Sequence, residues 1–230
     1  MQITWLGHSG FRIEIGDQVL IVDPWFNGNP MFPIEKALEA TKNATCCLVS
    51  HAHSDHASDA VNLSKNQKIP LVGIYDFISF LEKDQNLEGI GFNRGGRITM
   101  GSVDITMVSA SHSSSFLIND RLTYGGNEAG FMISSNGRTI YFSGDTDVMA
   151  DMEWFEELHK PEIGLLCAGG HFTMDMERAA FAAKKYFNFK TVIPCHYKTF
   201  PILEQSAAKL KAKLPKVKVI EPVVMEPIIL

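Results

Sequence analysis

The chain has 230 residues, of which 45% are hydrophobic and 20% charged, and its formal net charge is −5. This is the composition of an ordinary globular protein, and the length suits one sizeable hydrophobic core, so we predict a single domain over residues 1–230. The chain is acidic and has no Lys/Arg-rich run, so it lacks the basic patch typical of nucleic-acid-binding proteins. No apolar run is long enough to span a membrane.

Strands and helices alternate along most of the predicted chain. Short apolar runs predict strands at 3–6, 11–15, 19–22, 45–49, 71–74, 98–100, 103–109, 131–134, 139–142, 163–167 and 192–194, with one more in the tail. Helical periodicity predicts helices at 59–65, 76–83, 148–158, 176–186 and 203–214. Residues 24–34 and 113–130 are predicted loops, because they are rich in turn-forming residues. The pattern is that of an α/β fold.

The cysteines and the N-terminus bear on the cellular compartment. The first residues lack a basic segment followed by a long apolar one, which a secretory signal would have. Two of the four cysteines are neighbours, and the others lie in apolar runs, which makes a poor disulfide framework. We therefore expect reduced, buried thiols in a cytoplasmic protein.

Histidine and aspartate side chains recur where predicted strands end. The residues at these positions are His51, His53, His56, His112, His196, Asp23 and Asp145. In layered α/β folds the loops at strand ends project side chains into one crevice. The shared position therefore predicts one site assembled from distant segments.

The segment HAHSDH is the densest part of this pattern. In an extended segment, residues two apart point the same way, so His51 and His53 can reach one metal ion together. The chain must then turn into a helix starting near Ala57, and Asp55 and His56 at the bend can reach a second ion. Imidazole and carboxylate are ligands of zinc, iron and manganese. The alternative is a solvated helix start with Asp55 as its cap, which explains the histidines poorly.

HAHSDH resembles the metal-binding signature of the metallo-β-lactamase superfamily. The segments IVDP, SASHSS, FSGDT and IPCHY carry Asp23, His112, Asp145 and His196 and are similar to that family's pattern in the same order. The segments WLGHSGF and HFTM are similar to a branch of small metal-dependent hydrolases that is related to the ascorbate-phosphate lactonases.

The resemblance implies a four-layer αββα sandwich with two divalent metal ions in the cleft between its halves. It implies one ion bound by His51, His53 and His112, a second bound by Asp55, His56 and His196, and Asp145 bridging the two. Asp23 would orient a ligand by a hydrogen bond, where its plain alternative is a turn residue before Pro24. Zinc is the expected metal, and manganese, iron or nickel could also bind.

Two adjacent divalent ions can share a water and lower its pKa, so that a bridging hydroxide attacks at neutral pH. We therefore predict a binuclear hydrolase of an ester, lactone or phosphoester in a small or medium substrate. The alternatives are an iron-dependent redox protein on the same scaffold and a metal-stabilised binding protein without catalysis. Because both sets of metal ligands are complete, we favour the hydrolase. No nucleic-acid or membrane partner is expected, and the oligomeric state is unspecified.

Three residues are candidate catalytic groups: Asp55, His8 and His171. His8, in a Gly-His-Ser-Gly turn, could donate to the metal site or bond only to the backbone. His171, in GGHFTMD, could contact substrate or donate to an oxyanion, or it could be an exposed loop residue.

The two predicted loops could flank the cleft. In the loop 24–34, Trp25, Phe26, Met31 and Phe32 could form an apolar wall. In the second loop, residues 113–115 and Arg121 could bind an anionic group.

Overall fold

The computed structural model describes all 230 residues, and sixteen strands and seven α-helices make up its regular structure. The first eight strands are β1 Gln2–Trp5, β2 Phe11–Ile15, β3 Gln18–Val22, β4 Cys46–Val49, β5 Leu71–Ile74, β6 Gly89–Phe92, β7 Arg97–Met100 and β8 Val103–Ser109. The other eight are β9 Ser115–Ile118, β10 Arg121–Tyr124, β11 Ala129–Ser135, β12 Arg138–Phe142, β13 Ile163–Cys167, β14 Thr191–Cys195, β15 Lys218–Val219 and β16 Pro227–Ile229.

The helices lie mainly between the parallel strands. They are α1 Ala37–Ala40, α2 Ser54–Ala57, α3 Ala60–Gln67, α4 Tyr75–Gln85, α5 Met152–His159, α6 Met176–Tyr186 and α7 Ala208–Lys213, with a 3₁₀ turn at Ile34–Lys36 before α1. None of them combines the length and apolar character that crossing a lipid bilayer requires.

Two seven-stranded sheets share one plan. Their strand orders are β16-β1-β2-β3-β4-β5-β6 and β15-β14-β13-β12-β11-β8-β7. Each sheet has an antiparallel part, β16 to β3 and β7 to β12, followed by a parallel part, β3 to β6 and β12 to β15. In the first sheet β3 and β4 run parallel, so their carboxyl ends lie at the same edge. In the second sheet the same holds for β12 and β14.

The sheets pack face to face, and helices cover their outer faces. Across the interface, the Phe11 and Phe142 rings lie 6.1 Å apart and those of Phe92 and Phe131 6.3 Å apart. Helices α3 and α4 contact strands of the first sheet, and α6 contacts β13 and packs against α5 and α7. The predicted four-layer αββα sandwich is thus confirmed.

Local sequence explains these elements in physical terms. The strand β2, FRIEI, alternates buried and half-buried residues because one of its faces is less covered. The strands β13 and β14, IGLLC and TVIPC, are buried at every position, as parallel strands between layers are. Helix α6 begins at Asp175, whose carboxylate accepts a hydrogen bond from the Arg178 backbone N–H. All four cysteines are buried free thiols, as predicted.

Three parts of the structure differ from what the sequence predicted. The predicted loop 113–130 contains the hairpin β9–β10, whose turn residues Asn119 and Asp120 have φ of 48° and 60°. Such a left-handed Asn-Asp pair closes a tight hairpin turn. Strand β6 was not predicted, because its sequence GIGF has two glycines, which are poor strand formers. The predicted helix 203–214 is helical only over α7, since the Gln205 amide donates to the Phe200 and Leu203 carbonyls and holds a turn there.

The helix predicted to start near Ala57 begins three residues earlier. His53 is still extended, with φ −62° and ψ 149°, and α2 starts at Ser54. Asp55 and His56 therefore lie in the first helical turn rather than at a bend before it. The predicted helix 148–158 likewise begins later, as α5 at Met152.

Candidate metal centre

The carboxyl ends of strands from both sheets meet at one place. Asp23 follows β3 and His51 follows β4 in the first sheet, while His112, Asp145 and His196 follow β8, β12 and β14 in the second. The shared edge of the two sheets thus gathers residues that are far apart in sequence, as the strand-end pattern predicted. All seven predicted ligands lie in this one group.

One cluster consists of three imidazoles. The side chains of His51, His53 and His112 each offer a nitrogen within 4.8 Å of the others. His51 is buried, and the other two are half-buried. Burial lowers the pKa of all three imidazoles below the ordinary value, and neighbouring histidines, among them His56, lower it further. Neutral imidazoles have a free nitrogen lone pair, so the cluster is suited to bind a cation.

The second cluster combines a carboxylate with imidazoles. Asp55 Oδ2 lies 3.8 Å from Nε2 of both His56 and His196. His8 Nε2 lies 3.0 Å from the same Asp55 oxygen and joins this group. Two side chains of α2 and one that follows β14 therefore converge, and His8 contacts the same Asp55 oxygen that faces the two imidazoles.

Asp145 lies between the two clusters. Its Oδ2 is 3.0 Å from His196 Nε2, 3.2 Å from His56 Nε2 and 3.6 Å from His112 Nε2. Burial would raise the pKa of this carboxyl, but the charges of His196 and His56 outweigh burial and hold the pKa well below its usual range. An ionised carboxylate therefore contacts imidazoles of both clusters.

Three buried atoms of the clustered residues lack a hydrogen-bond partner: His56 Nε2, His196 Nδ1 and Asp145 Oδ1. Unpaired buried polar atoms are rare and costly in folded proteins. Divalent transition metals bind imidazole nitrogen and carboxylate oxygen. The donor set and the unpaired atoms therefore fit two divalent metal ions.

Asp23 connects the two clusters from behind. Its Oδ2 accepts hydrogen bonds from His56 Nδ1, at 2.7 Å, and from the Ser50 hydroxyl, at 2.6 Å. Because the Ser50 hydroxyl donates to Asp23, its oxygen accepts from His51 Nδ1, at 3.0 Å. One buried carboxylate thus fixes the tautomers of His56 and His51 with Nε2 directed to the clusters.

Asp23→Asn is expected to weaken zinc binding by about 10–100-fold, the usual effect of losing a hydrogen-bond partner behind a metal ligand. The new amide N–H₂ would face the N–H of His56 or the Ser50 hydroxyl, so one imidazole would lose its tautomer. Zinc affinity measured by competition with a chromophoric chelator checks this. Asp104→Asn, at an exposed carboxylate that accepts from Thr99, is the control. Equal affinity in both variants would contradict the role of Asp23.

His8 holds Asp55 through a hydrogen bond. Burial, with the nearby charge of His196, lowers the pKa of His8 to about 4, so its ring is neutral at pH 7. Since the Asp55 carboxylate can only accept, His8 Nε2–H donates to it, and His8 Nδ1 accepts from the Thr199 hydroxyl at 2.8 Å. In this tautomer the nitrogen nearest the centre already carries a proton. His8 is therefore placed to orient Asp55 and not to bind metal.

Three residues of the centre have strained backbone conformations. His8, Asp23 and His196 have positive φ, at 50°, 46° and 56°. Residues other than glycine rarely adopt this region, and such strain concentrates at functional sites. No sequence pattern predicted this strain or the contacts of Ser50 and Thr199, since neither residue is a usual ligand.

His171 lies outside the clusters. It is exposed, its ring packs against Phe172, and it lines a cavity of about 320 Å³ with Ser111, Thr146 and Arg178 among its neighbours. Ser111 and Thr146 each adjoin a residue of the metal centre in sequence, but no clustered histidine or aspartate lines this cavity. Its predicted contact with substrate stays a prediction.

His171→Ala is expected to leave metal content and melting temperature unchanged, because the ring contacts none of the clustered residues. A role as oxyanion donor predicts a loss of about 10²–10³ in kcat/KM. Elemental analysis together with steady-state kinetics checks both parts. Loss of metal would mean that the ligand set must be redrawn around His171, and normal turnover would leave it as an exposed loop residue.

The apolar side chains of the loop 24–34 lie partly in the hydrophobic core and partly near the metal centre. Phe26 and Phe32 are buried and pack together, with ring centroids 4.7 Å apart, so they belong to the hydrophobic core and not to a cleft wall. Trp25 packs edge-on against His8 at 5.2 Å, and Met31 Sδ lies 3.3 Å from the Thr199 hydroxyl oxygen. Only Trp25 and Met31 therefore reach the surroundings of the centre.

Comparison with known proteins assigns the family. A family model described as "Beta-lactamase superfamily domain" matches residues 2–196. The chain belongs to the metallo-β-lactamase superfamily. Among the relatives of this superfamily member, a UPF0173 metal-dependent hydrolase of Paracoccus denitrificans (strain Pd 1222) is 59% identical over 228 residues, 99% of each chain. Another, from Ruegeria pomeroyi, is 54% identical over 228 residues, again 99% of each. The chain is a metal-dependent hydrolase of this superfamily.

Solved structures of the superfamily agree with the fold. Igni18, described as a metallo hydrolase from the archaeon Ignicoccus hospitalis, has a TM-score of 0.85 at 30% identity and covers 100% of this chain and 98% of its own. An isothiocyanate hydrolase from Delia radicum gut bacteria has a TM-score of 0.76 at 16% identity and covers 100% of this chain and 99% of its own. At that low identity the second likeness shows the fold alone.

Proposed function

We propose that this metal-dependent hydrolase is binuclear and cleaves a neutral carboxylic ester or lactone. The proposed ligands are His51, His53 and His112 for one ion, Asp55, His56 and His196 for the other, and Asp145 for both. Zinc is the proposed metal, since nitrogen-rich sets with a few carboxylates suit it, and manganese, iron or nickel could replace it.

The observation that carries this proposal is the position of Asp145 Oδ2. It lies within 3.6 Å of imidazole nitrogens from both clusters, and the other oxygen of this carboxylate is buried and unpaired. A carboxylate that lies against both ligand sets and keeps a second oxygen unpaired is suited to be a ligand shared by two ions. A single-ion site would leave one set of donors unused.

Divalent ions held by these ligands would supply a hydroxide nucleophile at neutral pH and polarisation of a substrate carbonyl. The protein's own residues keep the ligands in place. Asp23 holds His56 directly and His51 through Ser50, so both rings present Nε2. His8 donates to Asp55 and leaves its second oxygen free. Asp55, with 30% of its side chain exposed, borders the opening through which substrate would enter.

The charge around the opening favours a neutral substrate. The groove that begins at His53 and Asp55 has no lysine or arginine in its lining. Arg121, a predicted anion-binding residue, is exposed on the hairpin and does not line it. Arg178, near His171, is paired with Asp147 at 2.6 Å. A doubly charged phosphomonoester would gain no cationic side chain here, so esters and lactones fit better.

The relatives' description as metal-dependent hydrolases favours hydrolysis over iron redox chemistry or a binding role without catalysis. A panel of aryl esters, lactones, phosphodiesters and phosphomonoesters, offered to zinc-loaded protein, tests the proposal. We expect kcat/KM for the best ester or lactone to exceed that for any phosphomonoester by at least about 100-fold, roughly 2.7 kcal/mol of barrier. A preference for phosphomonoesters would contradict it.

A further inference from the structure

An apolar groove of about 870 Å³ opens beside the metal centre, where His53 and Asp55 form its inner end. Its walls are the α2–α3 segment, one face of α4 and the hairpin β9–β10. A volume of this size lies within the usual range for small-molecule sites. The groove and the proposed ligands are therefore parts of one continuous surface.

The floor of the groove comes from regularly spaced positions of α4. Phe77, Phe80 and Leu81 are followed one and two turns later by Asp84 and Gln85, so all five share one helical face. Phe77 and Leu81 are buried, which makes the floor part of the packed structure. A rigid, apolar surface thus leads away from the centre and ends at polar residues.

The hairpin wall is held in position at its base. The Phe116 ring lies 5.1 Å from those of Phe77 and Phe80. The Ser114 hydroxyl oxygen accepts a hydrogen bond from the Ala52 N–H at 3.2 Å, directly between His51 and His53. A Cβ at Gly125 would collide with Ala52, so only glycine allows this close approach. The hairpin is therefore fixed to the ligand-bearing loop.

The rim of the groove exposes hydrophobic side chains that the fold does not use. Leu117 and Leu122 face each other across the hairpin and are 66% and 76% exposed. Together with half-buried Val61 they surround the opening. Apolar residues grouped around a cavity mark a place where an apolar ligand is covered.

We propose that this groove binds a neutral, unbranched alkyl or acyl chain attached to the bond that is cleaved. This inference rests on the proposed hydrolase function, because the inner end of the groove is the proposed metal centre. From Phe77 to Gln85, α4 runs about 12 Å, which an extended chain advancing roughly 1.2 Å per bond covers with about ten bonds, or ten to eleven carbons. The far end is polar, since Gln85 donates to Asp84 and accepts from Lys65 at 3.0 Å, while no lysine or arginine lines the groove itself.

Binding of a neutral fluorescent probe, N-phenyl-1-naphthylamine, to metal-free protein tests the groove without reference to activity. Decanol is expected to displace the probe at a concentration at least about 50-fold lower than butanol, at about two- to fourfold per added methylene. Val61→Trp, which fills the middle of the groove, should weaken decanol binding at least tenfold. Leu158→Trp, at an exposed position of α5, is the matched control and should bind like the parent.

A series of 4-nitrophenyl esters from acetate to decanoate, hydrolysed by zinc-loaded protein, connects the groove to the reaction. We expect kcat/KM to rise with chain length in the parent and in the control Leu158→Trp, and Val61→Trp to lose that rise. If decanol displaces the probe equally well from Val61→Trp and from the parent, the proposed role of the groove is wrong. Chelator-sensitive hydrolysis without any dependence on chain length also overturns it, but leaves the hydrolase intact. Decanol binding that Val61→Trp abolishes, without hydrolysis of any ester, supports the groove and refutes the proposed reaction.

Discussion

Asp145→Ala should lower kcat/KM for the best ester substrate by at least about 1,000-fold, roughly 4 kcal/mol of barrier. The reason is that Asp145 Oδ2 is the one carboxylate oxygen in contact with imidazoles of both clusters, at 3.0 to 3.6 Å. Without it the ions would have no shared protein ligand. Steady-state kinetics on zinc-loaded protein measures the effect.

Asp104→Ala is the control for this substitution. Asp104 is also an aspartate of the second sheet, but its carboxylate lies at the surface and accepts from Thr99. It should retain activity within about twofold, since exposed polar contacts contribute little to stability. If Asp145→Ala folds normally and stays within about tenfold of the parent, Asp145 does not bridge the ions.

Removing metal with a chelator should abolish ester hydrolysis and lower the melting temperature. A ligand that binds only the folded state stabilises it by about 4 kcal/mol at 1,000 times its dissociation constant. For a chain of this length that corresponds to roughly 8–16 °C. Removal of the ions would also leave His56 Nε2 and Asp145 Oδ1 unpaired in the interior. Differential scanning calorimetry of chelated and zinc-loaded protein measures the shift.

Calcium provides the control for the chelation experiment. It prefers six to eight oxygen ligands, whereas this centre offers mainly imidazole nitrogen. We therefore expect zinc, but not calcium, to restore both the activity and the melting temperature. Full activity in the presence of excess chelator, with metal loss verified, would mean that the reaction does not use these clusters.

The sequence predicted the sheets and the position of the centre well, because both follow from short-range patterns. Buried runs such as IGLLC end at defined residues, and polar residues that follow them must lie at the sheet edge. Asp23, His112 and Asp145 were found in this way, although they are far apart in the chain. A buried run and the polar residue that follows it are neighbours in the chain, so the sequence alone reveals both.

Other features depend on tertiary contacts that a single sequence does not specify. Phe26 and Phe32 lie in a Pro- and Gly-rich segment, and only their mutual packing places them in the core. The roles of Thr199 and Ser50 depend on hydrogen bonds to His8, His51 and Asp23, and no residue spacing marks them. The hairpin β9–β10 had a signal in its Asn-Asp turn, but its strands are short and half exposed.

Metal stoichiometry tests the central claim most directly. Protein stripped of metal, reconstituted with excess zinc and desalted should contain two zinc ions per chain by elemental analysis. Anomalous scattering at the zinc edge should place one ion at His51, His53 and His112, the other at Asp55, His56 and His196, and Asp145 in contact with both. A firm limit of one ion per chain, or two ions of which neither contacts Asp145, would contradict the account.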